Sequence, residues 1–210
     1  MSRSAWNARG LYAITDAQLL PGERLYEAVE AAIRGGAVLV QYRDKLGNPE
    51  ERLERAQRLQ QLCQHLGCPL LINDDLELAL QVGAAGVHLG RSDGSLLEAR
   101  RCLGPDAIIG ATCHASLEFA REARAQQASY VAFGSFFPSP TKPEAKPAPL
   151  SLLSEAKQAL ELPVVAIGGI TQDNAPGLIE AGADLIAVIN ALFDGPDVQQ
   201  RATQFANLFT

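Results

Sequence analysis

The strongest constraint on the fold of this chain is an eightfold alternation of short apolar runs with segments of helical spacing. Runs of five to seven apolar residues suit strands that are buried on both faces. Between them, apolar residues recur at helical intervals, as Leu25, Val29 and Ile33 do, and predict amphipathic helices. The predicted strands are 11–15, 38–42, 69–73, 86–90, 107–112, 130–134, 163–169 and 184–190.

Eight strand–helix repeats within 210 residues predict the α/β class and a single (β/α)8 TIM barrel. A doubly wound parallel sheet is the structural alternative. We expect an N-terminal extension at 1–10 and the barrel domain at 11–210. The apolar fraction of 47% is sufficient for a core of this size.

Charge and cysteine content narrow the classes of function. A formal net charge of −6 provides no basic surface for nucleic acid or anionic lipid. None of the four cysteines forms a CxxC pair, and so low a content fits the reduced thiols of a cytoplasm. The N-terminus lacks the apolar core of a signal peptide, and no apolar run approaches the roughly 18 residues that span a bilayer. We therefore predict a cytoplasmic protein without nucleic-acid or membrane partners.

Polar residues follow the predicted strands at the points where, in a barrel, all strand ends meet on one face. The third strand runs directly into Asn73, Asp74 and Asp75. One acid is enough to cap the following helix, so capping is a real alternative for Asp75 and a weaker one for Asp74. The other polar residues at strand ends are Asp16, Gln41, Arg43, Lys45, His88, Asp93, Thr112, Cys113, His114 and Asn190. Together they predict a polar mouth above an apolar barrel.

Two of these acids, Asp74 and Asp93, are the candidate metal ligands. Few hard oxygen ligands without a histidine or cysteine cluster favour Mg²⁺, which keeps several waters and shares phosphate ligands. The alternative for Asp93 is a turn residue in RSDG. His88 alternates with apolar neighbours in its strand, which favours a packed barrel histidine over a metal ligand.

Anion-binding groups recur along the chain. Arg43 and Lys45 are two residues apart after the second strand, so both side chains can point the same way toward a phosphate. Gly168-Gly169 after the seventh strand allows close backbone approach to an anion. The proline-rich stretch 138–149 is either a linker or, as the unbroken barrel pattern favours, a binding loop.

A divalent cation is needed if a diphosphate binds beside Asp74 and Asp93. Like charges 4 Å apart repel by about 4 kcal/mol at an effective dielectric near 20. The pattern contains no nucleophilic triad or dyad. Cys113 and His114 are sequence neighbours on a strand, so their side chains diverge.

An ordered set of motifs resembles a known family. The segments are LYAITD, QYRDK, LLINDDLELAL, GVHLGRSDG, IIGATCH, PSPTKPEA, VAIGGIT and IAVINALF, and they cover nearly the whole chain after residue 10. This set is similar to the thiamine-phosphate synthase (thiamine-phosphate pyrophosphorylase) family of (β/α)8 barrels. The resemblance implies a Mg²⁺-assisted transferase. Its small-molecule substrates would be 4-amino-2-methyl-5-hydroxymethylpyrimidine diphosphate and 4-methyl-5-(2-hydroxyethyl)thiazole phosphate, or the carboxylated thiazole.

The resemblance also implies a role for each matching residue. Asp74 and Asp93 would hold Mg²⁺, and Arg43, Lys45 and Lys142 would act in catalysis. The residues implied on the pyrimidine diphosphate side are Gln41, Arg43, Lys45, Asn73, Thr112 and Lys142. Tyr42 and Asp44 are implied as further substrate-binding residues. Those implied on the thiazole phosphate side are Ser139, Pro140, Thr141, Gly168, Gly169, Ile189 and Asn190. The chain departs from the common pattern at Arg91, Thr112 and Asn190, where the family usually has Gln, Ser and Ser.

Two other functions stay open on sequence grounds. One is a thiazole tautomerase-like paralogue that has lost synthase activity, which the retained QYRDK segment, Asp74, Asp93 and Lys142 oppose. The other is a non-catalytic regulator that binds a metabolite, which no DNA-binding motif supports. The sequence predicts no oligomeric state.

Overall fold

Eight parallel strands pair in chain order and close into a barrel, because β1 pairs with both β2 and β8. The computed structural model describes residues 8–138 and 147–210. The strands are β1 Gly10–Ile14, β2 Ala37–Tyr42, β3 Leu70–Asn73, β4 Gly86–Leu89, β5 Ile108–His114, β6 Tyr130–Phe133, β7 Val164–Ile167 and β8 Leu185–Val188. Closure confirms the predicted (β/α)8 barrel and excludes the doubly wound alternative.

Helices follow the strands and form the outer layer. They are α1 Arg24–Arg34, α2 Pro49–His65, α3 Leu76–Val82, α4 Leu96–Leu103, α5 Leu117–Ala125, α6 Ser151–Leu160, α7 Ala175–Glu180, α8 Asn190–Phe193 and α9 Val198–Ala206, with a 3₁₀ turn at Asn207–Phe209. Asn48 and Glu51 form a capping box at α2, and Pro49 occupies its first turn. No helix within residues 8–138 and 147–210 is long and apolar enough to cross a membrane.

The predicted strands agree with the structure to within a few residues. β5 extends two residues beyond its predicted end, to His114, and β8 ends at Val188, two residues early. The eighth strand is shorter because the backbone turns at Ile189 and the short helix α8 begins at Asn190. A short extra helix after the eighth strand is a feature of phosphate sites in this fold.

Strand alternation divides the core into two layers. Side chains such as Tyr12, Leu39 and Leu71 fill the barrel interior, while Leu11 and Val40 pack between the strands and the helices. Toward the carboxyl ends of the strands, the inward positions become polar. This change from apolar to polar residues creates the floor of the mouth.

At the opposite end of the barrel, a buried arginine on α4 holds together the segments that lead into β5 and β6. The Arg100 guanidinium donates to the carbonyl oxygens of Gly104, Pro105, Ala107 and Gln127 and to Ser129 Oγ. These carbonyl groups lie before the amino ends of β5 and β6. One cation therefore satisfies several backbone acceptors at once.

Candidate active site

The turn after β3 brings Asp74 to the mouth in a conformation that ordinary residues avoid. Asp74 has φ +62° and is held by a backbone hydrogen bond from its N–H to His88 O. Its Oδ2 accepts from Lys45 Nζ at 2.5 Å and from Asn73 Nδ2 at 2.7 Å. Asp75 instead caps α3, accepting from Leu78 N at 2.9 Å. The two adjacent acids thus have separate roles, and only Asp75 is used as a helix cap.

Arg43 and Lys45 flank the end of β2 and point to different neighbours. Arg43 Nη1 lies 3.2 Å from Asp16 Oδ2 on the β1 side, whereas Lys45 pairs with Asp74 on the β3 side. Their side chains diverge because β2 ends at Tyr42, so strand alternation no longer governs residues 43–45. Both cations stay accessible, with side-chain exposures of 26% for Arg43 and 55% for Lys45. Either one can donate to an oxygen atom of a ligand.

Asp44 supports the loop between β2 and α2 from within. Its carboxylate accepts from Tyr42 Oη, Arg55 Nη1 and the backbone N–H groups of Leu46 and Gly47. Burial alone would raise the pKa of Asp44, but these donors outweigh it and lower its pKa to about 2. Burial raises the pKa of Tyr42 above its ordinary value, and its side chain faces the helices. The side chains of Tyr42 and Asp44, expected among the substrate ligands, therefore brace the loop that carries Arg43 and Lys45.

Asp93 folds back onto the end of β4. Its Oδ2 accepts from Gly90 N at 2.9 Å, and its Oδ1 accepts from Ser92 Oγ at 3.2 Å. A side chain on Gly90 would meet Asp93 Oδ2 at 2.5 Å, so glycine permits this close approach. The turn geometry proposed as an alternative for Asp93 is present. It also keeps the carboxylate exposed beside the strand next to the one that carries Asp74.

A chain of hydrogen bonds crosses the barrel beneath the mouth. Gln41 Nε2 donates to Tyr12 Oη, which bonds Tyr130 Oη at 2.8 Å. Tyr130 Oη then bonds His88 Nδ1 at 2.7 Å, and His88 Nε2 bonds Thr112 Oγ1 at 2.8 Å. Burial lowers the pKa of His88 to about 4, against the opposing charge of the nearby Asp93, so the ring is neutral at pH 7. His88 is packed inside the barrel, as its alternation with apolar neighbours favours.

Gly168 and Gly169 turn the chain closely under the segment that follows β6. Their φ angles are +104° and +62°, and added side chains would meet Ser135 Oγ at 2.0 Å and Pro138 O at 2.4 Å. The backbone of Phe137 donates to Gly168 O at 3.1 Å. After β8, Ile189 and Asn190 form the start of α8. Two glycines and a helix start thus occupy the strand ends opposite β3 and β4.

Several predictions fall on the loop after β6. Ser139, Pro140, Thr141 and Lys142 lie outside the described residues, and their predicted roles stay predictions. Arg91, which departs from the family pattern, places its guanidinium carbon 3.5 Å from the centre of the Phe119 ring. Cys113 is buried, with its pKa raised by burial to about 12, while His114 is exposed. That divergence agrees with the expectation that these two residues form no nucleophilic dyad.

The sequence-based site omitted three residues that the structure brings to it. Asp16 was recognised as a polar strand end, but its pairing with Arg43 depends on the closure of β1 against β2. Tyr12 and Tyr130 read as ordinary aromatic strand residues. The available signal was that a tyrosine at an inward barrel position needs a partner for its hydroxyl group.

A closed (β/α)8 barrel with cations, carboxylates and glycine turns at its carboxyl face defines an enzyme with a small-molecule site there. The family model for thiamine monophosphate synthase matches residues 11–192. The chain belongs to this family, and that membership makes it a transferase of thiamine-phosphate synthesis.

Individual relatives agree with this assignment. The thiamine-phosphate synthase of Marinobacter nauticus is 57% identical over 202 residues, covering 95% of this chain and 90% of the relative. That of Thiobacillus denitrificans is 54% identical over 200 residues, covering 95% and 94%. The solved structure of thiamine phosphate pyrophosphorylase from Pyrococcus furiosus has a TM-score of 0.86 at 36% identity, with 96% of each chain covered.

Proposed function

We propose that the chain joins 4-amino-2-methyl-5-hydroxymethylpyrimidine diphosphate to 4-methyl-5-(2-hydroxyethyl)thiazole phosphate, giving thiamine phosphate and pyrophosphate. With the carboxylated form of the thiazole, carbon dioxide would be released as well. One observation carries the proposal: Lys45 and Asp74 meet at 2.5 Å at a barrel mouth that also holds Arg43. A cation and a carboxylate at one point suit a diphosphate that arrives with a metal ion. Family membership supports the same reaction.

The residues present fit Mg²⁺. Both bonds to Asp74 end on Oδ2, so Oδ1 accepts no hydrogen bond from the described residues. Asp93 adds an exposed carboxylate beside the neighbouring strand end. Within the described residues no group of three or more His, Cys, Asp or Glu side chains could cage a metal. One or two carboxylates shared with substrate phosphates and water are the usual ligands of Mg²⁺.

When bound, Mg²⁺ would neutralise charge on the diphosphate and assist its departure. Arg43 would donate to diphosphate oxygens through its fork of N–H groups, with Asp16 holding the guanidinium in place. Asp74 would hold the metal ion, and Lys45, which pairs with Asp74 in the ligand-free chain, would donate to a diphosphate oxygen. Asn73 and Lys142 would supply further donors. Arg43, Lys45 and Lys142 would then stabilise the leaving group as the carbon–oxygen bond breaks.

The substitution would be dissociative. The bond between the pyrimidine methylene carbon and the diphosphate oxygen breaks, and its electron pair leaves with pyrophosphate. The thiazole nitrogen then donates its lone pair to the resulting pyrimidine carbocation and forms the new carbon–nitrogen bond. This course needs no protein nucleophile, which agrees with the separation of Cys113 from His114.

The two ring substrates would bind on different sides of the mouth. Gln41 and Thr112 would contact the pyrimidine from the floor. The thiazole phosphate would bind the backbone of the two glycine turns and of α8, together with the loop after β6. The residues proposed for that phosphate are Gly168, Gly169, Ile189, Asn190, Ser139, Pro140 and Thr141.

The test is product formation by the full chain from both substrates, with Mg²⁺ and with a chelator. We expect thiamine phosphate and pyrophosphate in equal amounts, and at least a hundredfold loss with chelator that added Mg²⁺ restores. Asp106→Asn removes an exposed carboxylate at the opposite end of the barrel. As the control variant, it should form both products and depend on Mg²⁺ as the wild type does. Absence of both products with Mg²⁺ would reject the proposal.

A further inference from the structure

The buried hydrogen-bond chain beneath the mouth connects five strands of the barrel. It runs from Gln41 through Tyr12, Tyr130 and His88 to Thr112. The two tyrosines meet edge to face with ring centroids 5.9 Å apart, and His88 stacks on Tyr130 at 5.6 Å. Four of the five residues are almost fully buried, and only Thr112 is partly exposed. We call these five residues the floor relay.

The barrel leaves space for the floor relay at one glycine. A side chain on Gly110 would meet the Tyr130 ring at 2.1 Å, the Tyr130 hydroxyl at 2.2 Å and His88 Nδ1 at 2.5 Å. Even alanine would therefore push the two rings apart. The absence of a side chain at position 110 is what allows the tyrosine and the imidazole to meet in the centre of the barrel.

The floor relay has a direction that starts at Gln41. An amide nitrogen has no lone pair to offer, so Gln41 Nε2 donates to Tyr12 Oη. Either hydroxyl could donate in the Tyr12–Tyr130 bond, and either tautomer of His88 fits its two bonds. The direction that gives the Tyr12 proton an acceptor has Tyr12 donate to Tyr130 and Tyr130 donate to His88 Nδ1. In this direction the single proton of the neutral ring is on Nε2, which donates to Thr112 Oγ1.

The direction determines what each end of the floor relay offers a ligand. Thr112 accepts from His88, so its own hydroxyl proton is available to an acceptor in the mouth. Gln41 uses its amide nitrogen below and keeps its amide oxygen for a donor. That oxygen accepts no hydrogen bond from the described residues, although Gln41 is only 2% exposed. The amide oxygen itself is not fully buried, so a ligand donor in the mouth can reach it.

We propose that the floor relay is a specificity device: it fixes Gln41 as an acceptor and Thr112 as a donor, and so selects an aminopyrimidine over its oxo counterpart. This inference rests on the proposed function. The exocyclic amino group of the substrate donates to the Gln41 amide oxygen, and a ring nitrogen accepts from Thr112. An oxo group in place of the amino group would set its oxygen against the Gln41 amide oxygen, and both are acceptors. This holds as long as the Gln41 side-chain amide cannot flip to present its nitrogen. Tyr12, Tyr130 and His88 are positioning residues that keep the Gln41 amide from flipping.

The first test compares the amino- and oxo-pyrimidine diphosphates in the wild type and in Tyr12→Phe. Binding is measured by calorimetry, and turnover as kcat/KM. We expect the wild type to favour the amino compound by at least about a hundredfold. Removing the Tyr12 hydroxyl frees the Gln41 amide to rotate, so the preference falls about tenfold, mainly through better binding of the oxo compound. Tyr26→Phe, which removes a hydroxyl from α1, keeps the wild-type preference.

Two results of this comparison would overturn the floor relay as a specificity device. One is equal affinity of the wild type for both compounds. The other is an unchanged preference in Tyr12→Phe, with circular dichroism confirming its fold. A general loss of affinity for both compounds, without a change in their ratio, would likewise assign the hydroxyl a purely structural part.

The second test needs no substrate and is independent of the proposed function. The chain has three histidines, so the ¹⁵N signals of His88 can be assigned by substitution of the other two. We expect the ligand-free protein to show the Nε2–H tautomer and Tyr130→Phe to shift the ring toward the other tautomer. An Nδ1–H tautomer in the wild type would reverse the relay and overturn the inference. If instead the wild type forms no thiamine phosphate but shows the expected tautomer, the proposed function fails and the direction of the relay stands.

Discussion

The two ends of the barrel use arginine in opposite ways. At the amino end, Arg100 is buried and donates to four backbone carbonyl groups and one hydroxyl. At the mouth, Arg43 makes one ion pair with Asp16 and keeps part of its guanidinium exposed. A buried cation with many backbone partners stabilises the fold, and an accessible cation with few partners is available to a ligand. Residue type alone does not separate these roles; the number of partners and the burial do.

The largest effect on turnover is expected from a substitution at the mouth. Asp74→Asn retains a residue type that tolerates positive φ but removes the charge that faces Lys45 and the proposed metal. We expect turnover to fall by about 10²–10³-fold, equivalent to roughly 3–4 kcal/mol, because metal and leaving group lose a ligand. The free energy of unfolding should change by less than about 1 kcal/mol, since the ion pair is partly exposed. Parallel loss of activity and of fold in denaturant titrations would mark Asp74 as structural.

The counterpart at the amino end is Arg100→Met. We expect the free energy of unfolding to fall by about 3 kcal/mol, because buried carbonyl groups lose their donor. Below the unfolding transition, kcat/KM should stay within about twofold of the wild type. Arg101→Met removes the neighbouring arginine, which is exposed, and should change stability by less than about 0.5 kcal/mol. Equal effects of the two substitutions would contradict the contrast between the ends.

Asp44 extends the comparison to a buried carboxylate near the mouth. Its pKa is about 2 in the folded chain and about 3.8 without its partners, so it contributes stability above pH 4. That contribution, about 2 kcal/mol, is lost as the pH falls from about 4 to 2. Urea unfolding of the wild type should show the loss, and Asp44→Asn should show a correspondingly weaker pH dependence. Identical pH profiles for the two proteins would exclude Asp44 as the source.

The smallest effect is expected for Asp16, whose carboxylate would influence substrate binding only by holding Arg43. Asp16→Asn weakens the hold on Arg43 without removing the guanidinium. KM for the pyrimidine diphosphate should rise about three- to tenfold with little change in kcat, since Arg43 must be ordered upon binding. An unchanged KM would show that Arg43 is positioned by its backbone bond to Thr15 alone.

Local patterns accounted for the parts of the molecule that depend on neighbours in the chain. The apolar runs located all eight strands, and the position of Asp75 before an apolar helical segment located the cap of α3. The ordered motifs indicated the family through their resemblance to it, and in the structure they fall at successive strand ends around one mouth. α8 was not predicted, since the apolar run continues through Ile189 and only the backbone turn there ends the strand.

The remaining features depended on closure of the barrel. The hydroxyl groups of Tyr12 and Tyr130 meet although they are 118 residues apart, and no local pattern specifies such a partner. The divergence of Arg43 and Lys45, and the use of Asp44 within its own loop, likewise follow from what neighbouring strands place beside them. The sequence by itself therefore determined the succession of strands, through its short-range periodicity, and the residue types that follow them. It also indicated the family, through the resemblance of its ordered motifs. The tertiary structure alone decided which polar groups are saturated and which stay available, because each partner comes from a different strand.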